Sequence, residues 1–92
     1  MHGIINEVRI DPGRQDEAEK FLQETMVPMV KAAPGFVAGY WLRSDDGTSG
    51  MSLILFESEE AARKAFENRP APAEGGAVTP TRTEVRRVLA QA

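Results

Sequence analysis

The 92-residue chain contains no cysteine, and it has one histidine and one tryptophan. The lack of cysteine excludes disulfides, thiolate nucleophiles, iron–sulfur clusters and cysteine-ligated zinc. No apolar run approaches the ~20 residues that span a bilayer, and the first residues lack the basic segment and apolar core of a signal peptide. We therefore expect a cytoplasmic protein that does not engage a membrane.

The charged side chains are nearly balanced, with 11 basic against 14 acidic residues and a formal net charge of -3. Such a chain has no broad positive field to hold a phosphate backbone, so nucleic acid is not an expected partner. A hydrophobic fraction of 41% and a charged fraction of 27% are typical of a folded protein. At this length we expect one domain over residues 1–92.

Hydrophobic periodicity predicts a strand followed by a long helix in the first third of the chain. Residues 3–10 are rich in β-branched side chains and stop at Asp11-Pro12-Gly13, which is typical of a strand closed by a turn. Apolar residues then recur three and four apart, as in an amphipathic helix. Pro28 is expected to kink or end this helix near residues 25–27, after which it resumes toward Ala33.

The rest of the chain is predicted to form a hairpin, a second helix and a last strand. Residues 36–43 and 51–57 are strand-like and flank a turn at 44–50. Ser58 is placed as the N-cap of a helix that runs to about Asn68, and Thr81 to Leu89 is the remaining strand candidate. The order β-α-β-β-α-β predicts an α+β, ferredoxin-like fold whose antiparallel sheet carries both helices on one face.

Both faces of the two hairpin strands are predicted to be apolar. On the first of them, alternation groups Phe36, Ala38, Tyr40 and Leu42 on one face and Val37, Gly39, Trp41 and Arg43 on the other. On the second, Met51, Leu53 and Leu55 alternate with Ser52, Ile54 and Phe56. Because two short helices cover only one face, we expect the other to meet a second copy, as a homodimer packed sheet to sheet, or a ligand.

The turn and cap motifs carry a family resemblance. Pro34-Gly35-Phe36 after a long helix, then a hairpin, then Phe56-Glu57-Ser58-Glu59-Glu60-Ala61 at the next helix start, resembles the antibiotic biosynthesis monooxygenase family, over residues 4–66. The resemblance implies a dimeric α+β barrel of ferredoxin-like subunits. It also implies a function among cofactor-independent oxygenases of aromatic polyketides, quinol oxygenases and haem-degrading enzymes. Turn and cap signals specify the fold better than the chemistry.

The haem-degrading branch of that family uses an asparagine on the first strand, a tryptophan just before the second helix and an iron-binding histidine on that helix. Asn6 matches the asparagine. Phe56 stands where the tryptophan is expected and Phe66 lies near the histidine position, and neither side chain ligates iron. We therefore expect no haem, no other cofactor and no metal, and we assign Phe56 and Phe66 to substrate contact.

Asn6 is the first candidate for chemistry, because it interrupts an apolar strand. A buried amide must be hydrogen-bonded, either to side chains of a neighbouring strand or to a bound substrate. Facing a pocket, it could orient a phenolate or a peroxide oxygen. The alternative is a satisfied interface amide. His2, beside the chain terminus, is expected to be solvated.

Tyr40, Trp41 and Arg43 form the second group of candidates. Tyr40 and Trp41 are adjacent on a strand, so one lines the helix-covered core and the other the open face. Arg43 shares the face of Trp41. Together they could hold an anionic aromatic ligand by stacking and charge, or Arg43 could instead pair with Glu7 or Glu84 across the sheet.

The acidic residues and the long loop offer little chemistry. Asp45-Asp46-Gly47 is a hairpin turn, so no metal site is proposed there. Residues 69–80 form the one long loop, which we interpret as a plain connection, although a lid over a pocket is conceivable.

Two functions remain as hypotheses. The first is a cofactor-independent monooxygenase acting on a small electron-rich aromatic such as a phenol, quinol or anthrone. Its predicted catalytic residues are Asn6 and Trp41, and its predicted substrate contacts are Arg43, Tyr40, Phe56 and Phe66. The second is a non-enzymatic dimeric module that binds a small metabolite or forms part of a larger assembly, since no proton acceptor is evident.

Overall fold

The computed structural model describes residues 1–69 and 75–92 and contains a four-stranded antiparallel sheet. Its strands β1 (His2–Ile10), β2 (Phe36–Arg43), β3 (Ser49–Phe56) and β4 (Val78–Arg87) lie in the order β2-β3-β1-β4. The helical elements are α1 (Gln15–Phe21), a π-helical segment (Leu22–Met26), α2 (Val27–Lys31) and α3 (Glu59–Glu67). The predicted ferredoxin-like β-α-β-β-α-β order is confirmed.

The predicted interruption of the first helix takes the form of the π-helical segment. Pro28 has no amide N–H, and its ring would collide with the preceding turn of a regular α-helix. The hydrogen-bond pattern widens just before it, so that the N–H of Val27 bonds to the carbonyl of Leu22, five residues earlier. The helix therefore continues from residue 15 to residue 31 instead of ending near Pro28.

Gly35 and Ser58 tie the start of β2 to the start of α3. Ser58 caps α3 as predicted, because its Oγ accepts the N–H of Ala61 at 3.1 Å. Gly35 has a φ of +79° and its carbonyl accepts the N–H of Glu57 at 2.9 Å. A Cβ at Gly35 would lie 2.6 Å from the Cβ of Ala61, so the close approach requires glycine.

No helix in residues 1–69 and 75–92 is long and apolar enough to cross a membrane.

A β-bulge in β2 changes which side chains share a face. Val37 is an extra residue between Phe36 and Ala38, which pair with successive residues of β3. The prediction that Phe36 shares a face with Ala38 is therefore wrong, since a bulge reverses the alternation. Phe36 lies on the helix-covered face, where its ring meets that of Phe56 edge to face with 6.4 Å between centroids.

β4 starts at Val78 and ends at Arg87 instead of running from 81 to 89 as predicted. It contains a second register shift. Pro80 has no N–H to donate, and β4 tolerates it because β4 is an edge strand. Thr81 is the extra residue, and its hydroxyl donates to the carbonyl of Glu7 at 3.1 Å. Leu89 lies beyond the strand with 92% of its surface exposed.

The predicted loop over residues 69–80 is only partly described. Its last residues belong to β4. Gly75 accepts a 2.9 Å hydrogen bond from Nη1 of Arg14 through its carbonyl. Residues 70–74, to which the choice between a connection and a lid applies, lie outside the described residues.

The core lies between the sheet and the helices. The buried residues at its centre are Ile4, Ile54, Phe56 and Ala62, and the half-buried residues around them include Val30, Ala33, Phe36, Trp41, Phe66 and Val85. Both helical stretches therefore pack on one face of the sheet. The other face, called here the open face, carries apolar side chains that the helices do not cover, namely Tyr40, Leu42, Met51 and Leu53.

Asp46 organises the turn between β2 and β3. Its Oδ1 accepts hydrogen bonds from the hydroxyl of Ser44 at 2.7 Å, and from the N–H and hydroxyl of Thr48 at 3.0 and 2.7 Å. These bonds, that of Ser44 foremost, favour the ionised carboxylate and lower the pKa of Asp46 from 3.8 to about 2.

The turn is expected to lose stability in acid. Because the folded pKa of Asp46 lies below its unfolded value, the stabilisation is complete above pH 3.8 and is lost as the pH falls towards 2. We expect Asp46→Asn to flatten this part of the pH dependence, since the amide does not titrate. Thermal melts of both proteins across this interval check it. Parallel curves for wild type and variant would contradict the assignment.

Candidate functional site

A row of side chains crosses the helix-covered face of the sheet at the level of Asn6. Trp41 on β2 pairs with Ser52 on β3, Ser52 with Asn6 on β1, and Asn6 with Thr83 on β4. Directly paired residues of antiparallel strands point to the same face. Since neighbouring strands lie ~4.8 Å apart, the backbones of Asn6 and Trp41 are separated by about 10 Å. The row therefore brings both predicted catalytic residues to one face, with the small Ser52 side chain between them.

Asn6 is half-buried, and its amide is partly satisfied by the neighbouring strand. Its Oδ1 accepts a 2.9 Å hydrogen bond from the hydroxyl of Thr83. The sequence left two partners open for this amide, a side chain of a neighbouring strand or a bound substrate. The structure shows the first of them, Thr83. The amide NH₂ group makes no hydrogen bond to residues 1–69 or 75–92. Two donors of Asn6 thus remain for a ligand.

The indole of Trp41 folds back along its own strand. It lies over Gly39, so closely that a Cβ at Gly39 would stand 2.7 Å from Cη2 of Trp41 and 3.5 Å from Cε2 of Phe36. Gly39 is therefore required for this indole position. Gly39 was not among the predicted site residues, although a glycine inside a strand often marks a close approach of this kind.

Arg43 follows Trp41 on the same face, two residues further along β2, as predicted. It pairs with Gly50 of β3, which in turn pairs with Val8 of β1. Its side chain is exposed. Successive residues on one face of a strand are ~6.6 Å apart, so the guanidinium can reach a ligand seated on the row.

The carboxylates considered as alternative partners of Arg43 lie on the opposite face. Glu84 accepts hydrogen bonds from Arg82 and from Arg86, the latter at 2.8 Å. The pKa of Glu84 is lowered, and the hydrogen bond from Arg82 is the main cause. Glu7 lies 3.8 Å from the same Arg82. Neither is therefore the partner of Arg43, which makes no ion pair with the described residues.

Two of the other three predicted substrate contacts, Tyr40 and Phe56, do not line the row. Tyr40 is on the open face, with 58% of its surface exposed, because it alternates with Trp41. Phe56 is 1% exposed and fills the core, which leaves no surface for a ligand. Phe66, on α3, packs against the core, and the guanidinium of Arg69 lies over its ring at 3.9 Å.

His2 is not solvated as expected. Its side chain is 13% exposed, because β1 begins at His2 and the first turn of α3 lies above it. Nε2 lies 3.0 Å from Oε2 of Glu59, while Nδ1 is buried with no hydrogen-bond partner among the described residues. Four residues of strand, about 13 Å, separate His2 from Asn6, so the imidazole does not reach a ligand at the row.

The fold defines an α+β protein of the ferredoxin-like class, with a half-buried asparagine amide on the helix-covered face of its sheet. The model of the family described as antibiotic biosynthesis monooxygenase matches residues 1–73. The chain belongs to this family, as the resemblance implied. No curated protein matches the sequence.

Several solved structures share the fold. SnoaB, a cofactor-independent oxygenase from Streptomyces nogalater, is 18% identical with a TM-score of 0.74, over 98% of this chain and 94% of that one. The haem degrader MhuD from Mycobacterium tuberculosis, with two haems in its active site, is 22% identical with a TM-score of 0.76, over 100% and 99%. A monooxygenase from Streptomyces coelicolor in complex with nanaomycin D is 19% identical with a TM-score of 0.63, over 99% and 91%.

The residues of this chain do not fit the haem ligation that the resemblance describes. Phe66, near the expected position of the iron ligand, has no ligating atom. His2 is the only histidine of the chain, and its Nε2 is engaged by Glu59. Residues 1–69 and 75–92 hold no group of three side chains suited to a metal ion. The described residues therefore offer no histidine to ligate iron at the row.

Proposed function

We propose that this chain is a cofactor-independent monooxygenase acting on a small electron-rich aromatic such as a phenol, quinol or anthrone. The observation that carries the proposal is the row on the helix-covered face, where the free amide donors of Asn6 share a face with Trp41 and Arg43. Membership in a family whose structural relatives include cofactor-independent oxygenases supports the reaction type.

The reaction uses the substrate as its own source of electrons. The ring, ionised by loss of a proton to solvent, gives one electron to O₂, and the resulting pair of radicals combines to a peroxide on carbon, which takes a proton back. Loss of water then leaves a carbonyl, so that for a methylene carbon CH₂ and O₂ become C=O and H₂O. The protein has to hold the ring, keep water away and stabilise the anion.

The described residues suit these tasks. The NH₂ group of Asn6 can donate to the oxygen of the anion, and a preorganised donor of this kind stabilises developing negative charge. The indole of Trp41, held against Gly39, offers a fixed aromatic surface on the same face. Arg43 adds a positive charge at the exposed end of the row.

Oxygen uptake tests the proposal. We expect the purified protein to consume O₂ with at least one member of a panel of dihydroxynaphthalenes, anthrones and quinols, with chelator present and without added flavin, haem or metal. The product should carry one atom of labelled oxygen, and water the other. Uptake no faster than the uncatalysed rate for the whole panel would contradict it. Retention of a small molecule in native mass spectrometry without oxygen uptake would instead favour the binding module.

We also propose that the protein is a homodimer that packs through the open face. Four large apolar side chains stand exposed there, Tyr40 at 58%, Leu42 at 60%, Met51 at 45% and Leu53 at 36%. Exposed apolar patches of this kind are seldom left in water by a monomer. The ion pairs of Arg82 and Arg86 with Glu84 border them on the same face, as a polar rim borders an interface.

Tyr40→Glu is expected to weaken this dimer. A charge buried among apolar side chains at an interface typically costs at least ~2 kcal/mol, which corresponds to a roughly 30-fold higher dissociation constant. Sedimentation equilibrium over a range of concentrations measures it. Met29→Glu is the matched control, because Met29 is 43% exposed on the helix side of the sheet and should leave association unchanged. A wild-type protein that sediments as a monomer at micromolar concentration would contradict the dimer.

A further inference from the structure

Among the described residues, the Asn6 amide makes one hydrogen bond, with the hydroxyl of Thr83. An asparagine side chain can present either a carbonyl oxygen or an NH₂ group to a ligand, and the two are opposite in hydrogen-bond character. Here the hydroxyl of Thr83 lies 2.9 Å from Oδ1 of Asn6 and donates to it. In this arrangement the oxygen lies on the β4 side, and the NH₂ group is turned away from Thr83.

The register of β4 is what brings this hydroxyl to Asn6. Thr83 pairs directly with Asn6, whereas beyond the bulge Pro80 pairs with Val8. The extra residue, Thr81, is held by its own hydroxyl bond to the carbonyl of Glu7. Because a bulge shifts the alternation of the strand, it decides that Thr83 points to the helix-covered face.

We infer that Thr83 is a positioning residue that makes Asn6 a hydrogen-bond donor to an anionic substrate oxygen. The inference rests on the proposed function and adds to it a preference for the ionised form of the ligand. An NH₂ group donates to a phenolate or enolate oxygen, whereas a rotated amide would present its carbonyl oxygen and accept from a neutral hydroxyl group. Thr83 thus selects the form of the substrate that can give an electron to O₂.

Binding of 4-nitrophenol tests this role without turnover, because its phenolate and phenol forms differ in visible absorbance. The wild-type protein is expected to bind the phenolate at least ~10-fold more tightly than the phenol. Thr83→Val, which is nearly the same shape but has no hydroxyl, should reduce this preference about 10-fold. Thr83→Ser should restore it. Arg43 attracts the anion equally in all of these proteins.

Thr79→Val is the matched control, because Thr79 lies on the same strand beyond the bulge, is exposed and pairs with Arg9. It should keep the wild-type preference, and thermal melts should show that both valine variants are folded. A Thr83→Val protein with the wild-type preference overturns the inference. A Thr83→Ser protein that loses as much of the phenolate preference as Thr83→Val also overturns it. A wild-type protein that binds the phenol and the phenolate equally does so too.

The spectral test and the oxygen test fail separately. If Thr83→Val consumes oxygen as fast as the wild type and keeps the phenolate preference, the proposed function stands and Thr83 has no positioning role. Absence of oxygen uptake, together with a phenolate preference that Thr83→Val abolishes, would remove the proposed function and leave Thr83 as the residue that sets ligand ionisation.

Discussion

Asn6→Ala is expected to slow oxygen consumption by ~100 to 1000-fold, since removal of one preorganised donor to an oxyanion has this effect in enzymes. The side chain is half-buried and bonds only to Thr83 among the described residues, so the stability cost should be about 1 kcal/mol. Turnover at saturating substrate and a thermal melt of the same sample measure both quantities.

Asn6→Asp sharpens this experiment. The carboxylate has nearly the same size and still accepts the hydroxyl bond of Thr83, but it has no NH₂ group and repels an anion. We expect its activity to be as low as that of Asn6→Ala. Full activity in Asn6→Ala would contradict the catalytic role of Asn6, and full activity in Asn6→Asp alone would contradict its action as a donor.

Phe56→Ala is expected to lower the free energy of unfolding by ~3 to 5 kcal/mol. Phe56 is 1% exposed and packs edge to face against Phe36, so truncation removes its contacts and leaves a cavity. A domain of this size is stable by roughly 5 to 14 kcal/mol, so this loss removes a large share of its stability. Urea denaturation followed by circular dichroism measures the loss.

Phe66→Ala is the matched control for Phe56→Ala, since Phe66 is half-buried and its ring is covered on one side by Arg69. We expect it to lose less than half as much stability. A Phe56→Ala protein with wild-type stability and weakened ligand binding would contradict the core role and support the substrate contact that the family resemblance suggested.

The candidate site was predicted in part. Asn6, Trp41 and Arg43 were identified from their residue types and from strand alternation, and the structure brings all three to one face. Thr83 was missed, because its place opposite Asn6 depends on a bulge that leaves no mark in a hydrophobic pattern. His2 was misjudged, because its burial comes from Glu59 and the start of α3, which lie far from it in sequence.

The sequence by itself determined the order of the elements, an interruption of the first helix ahead of Pro28, the cap at Ser58 and the turn at Asp46. Each of these depends on neighbours within a few residues, where sterics and local hydrogen bonds dominate. The tertiary structure alone decided that Phe36 faces the helices, that Phe56 fills the core and that Thr83 meets Asn6. These outcomes depend on strand register, which pairs residues as distant as Asn6 and Thr83 and reverses with a single extra residue.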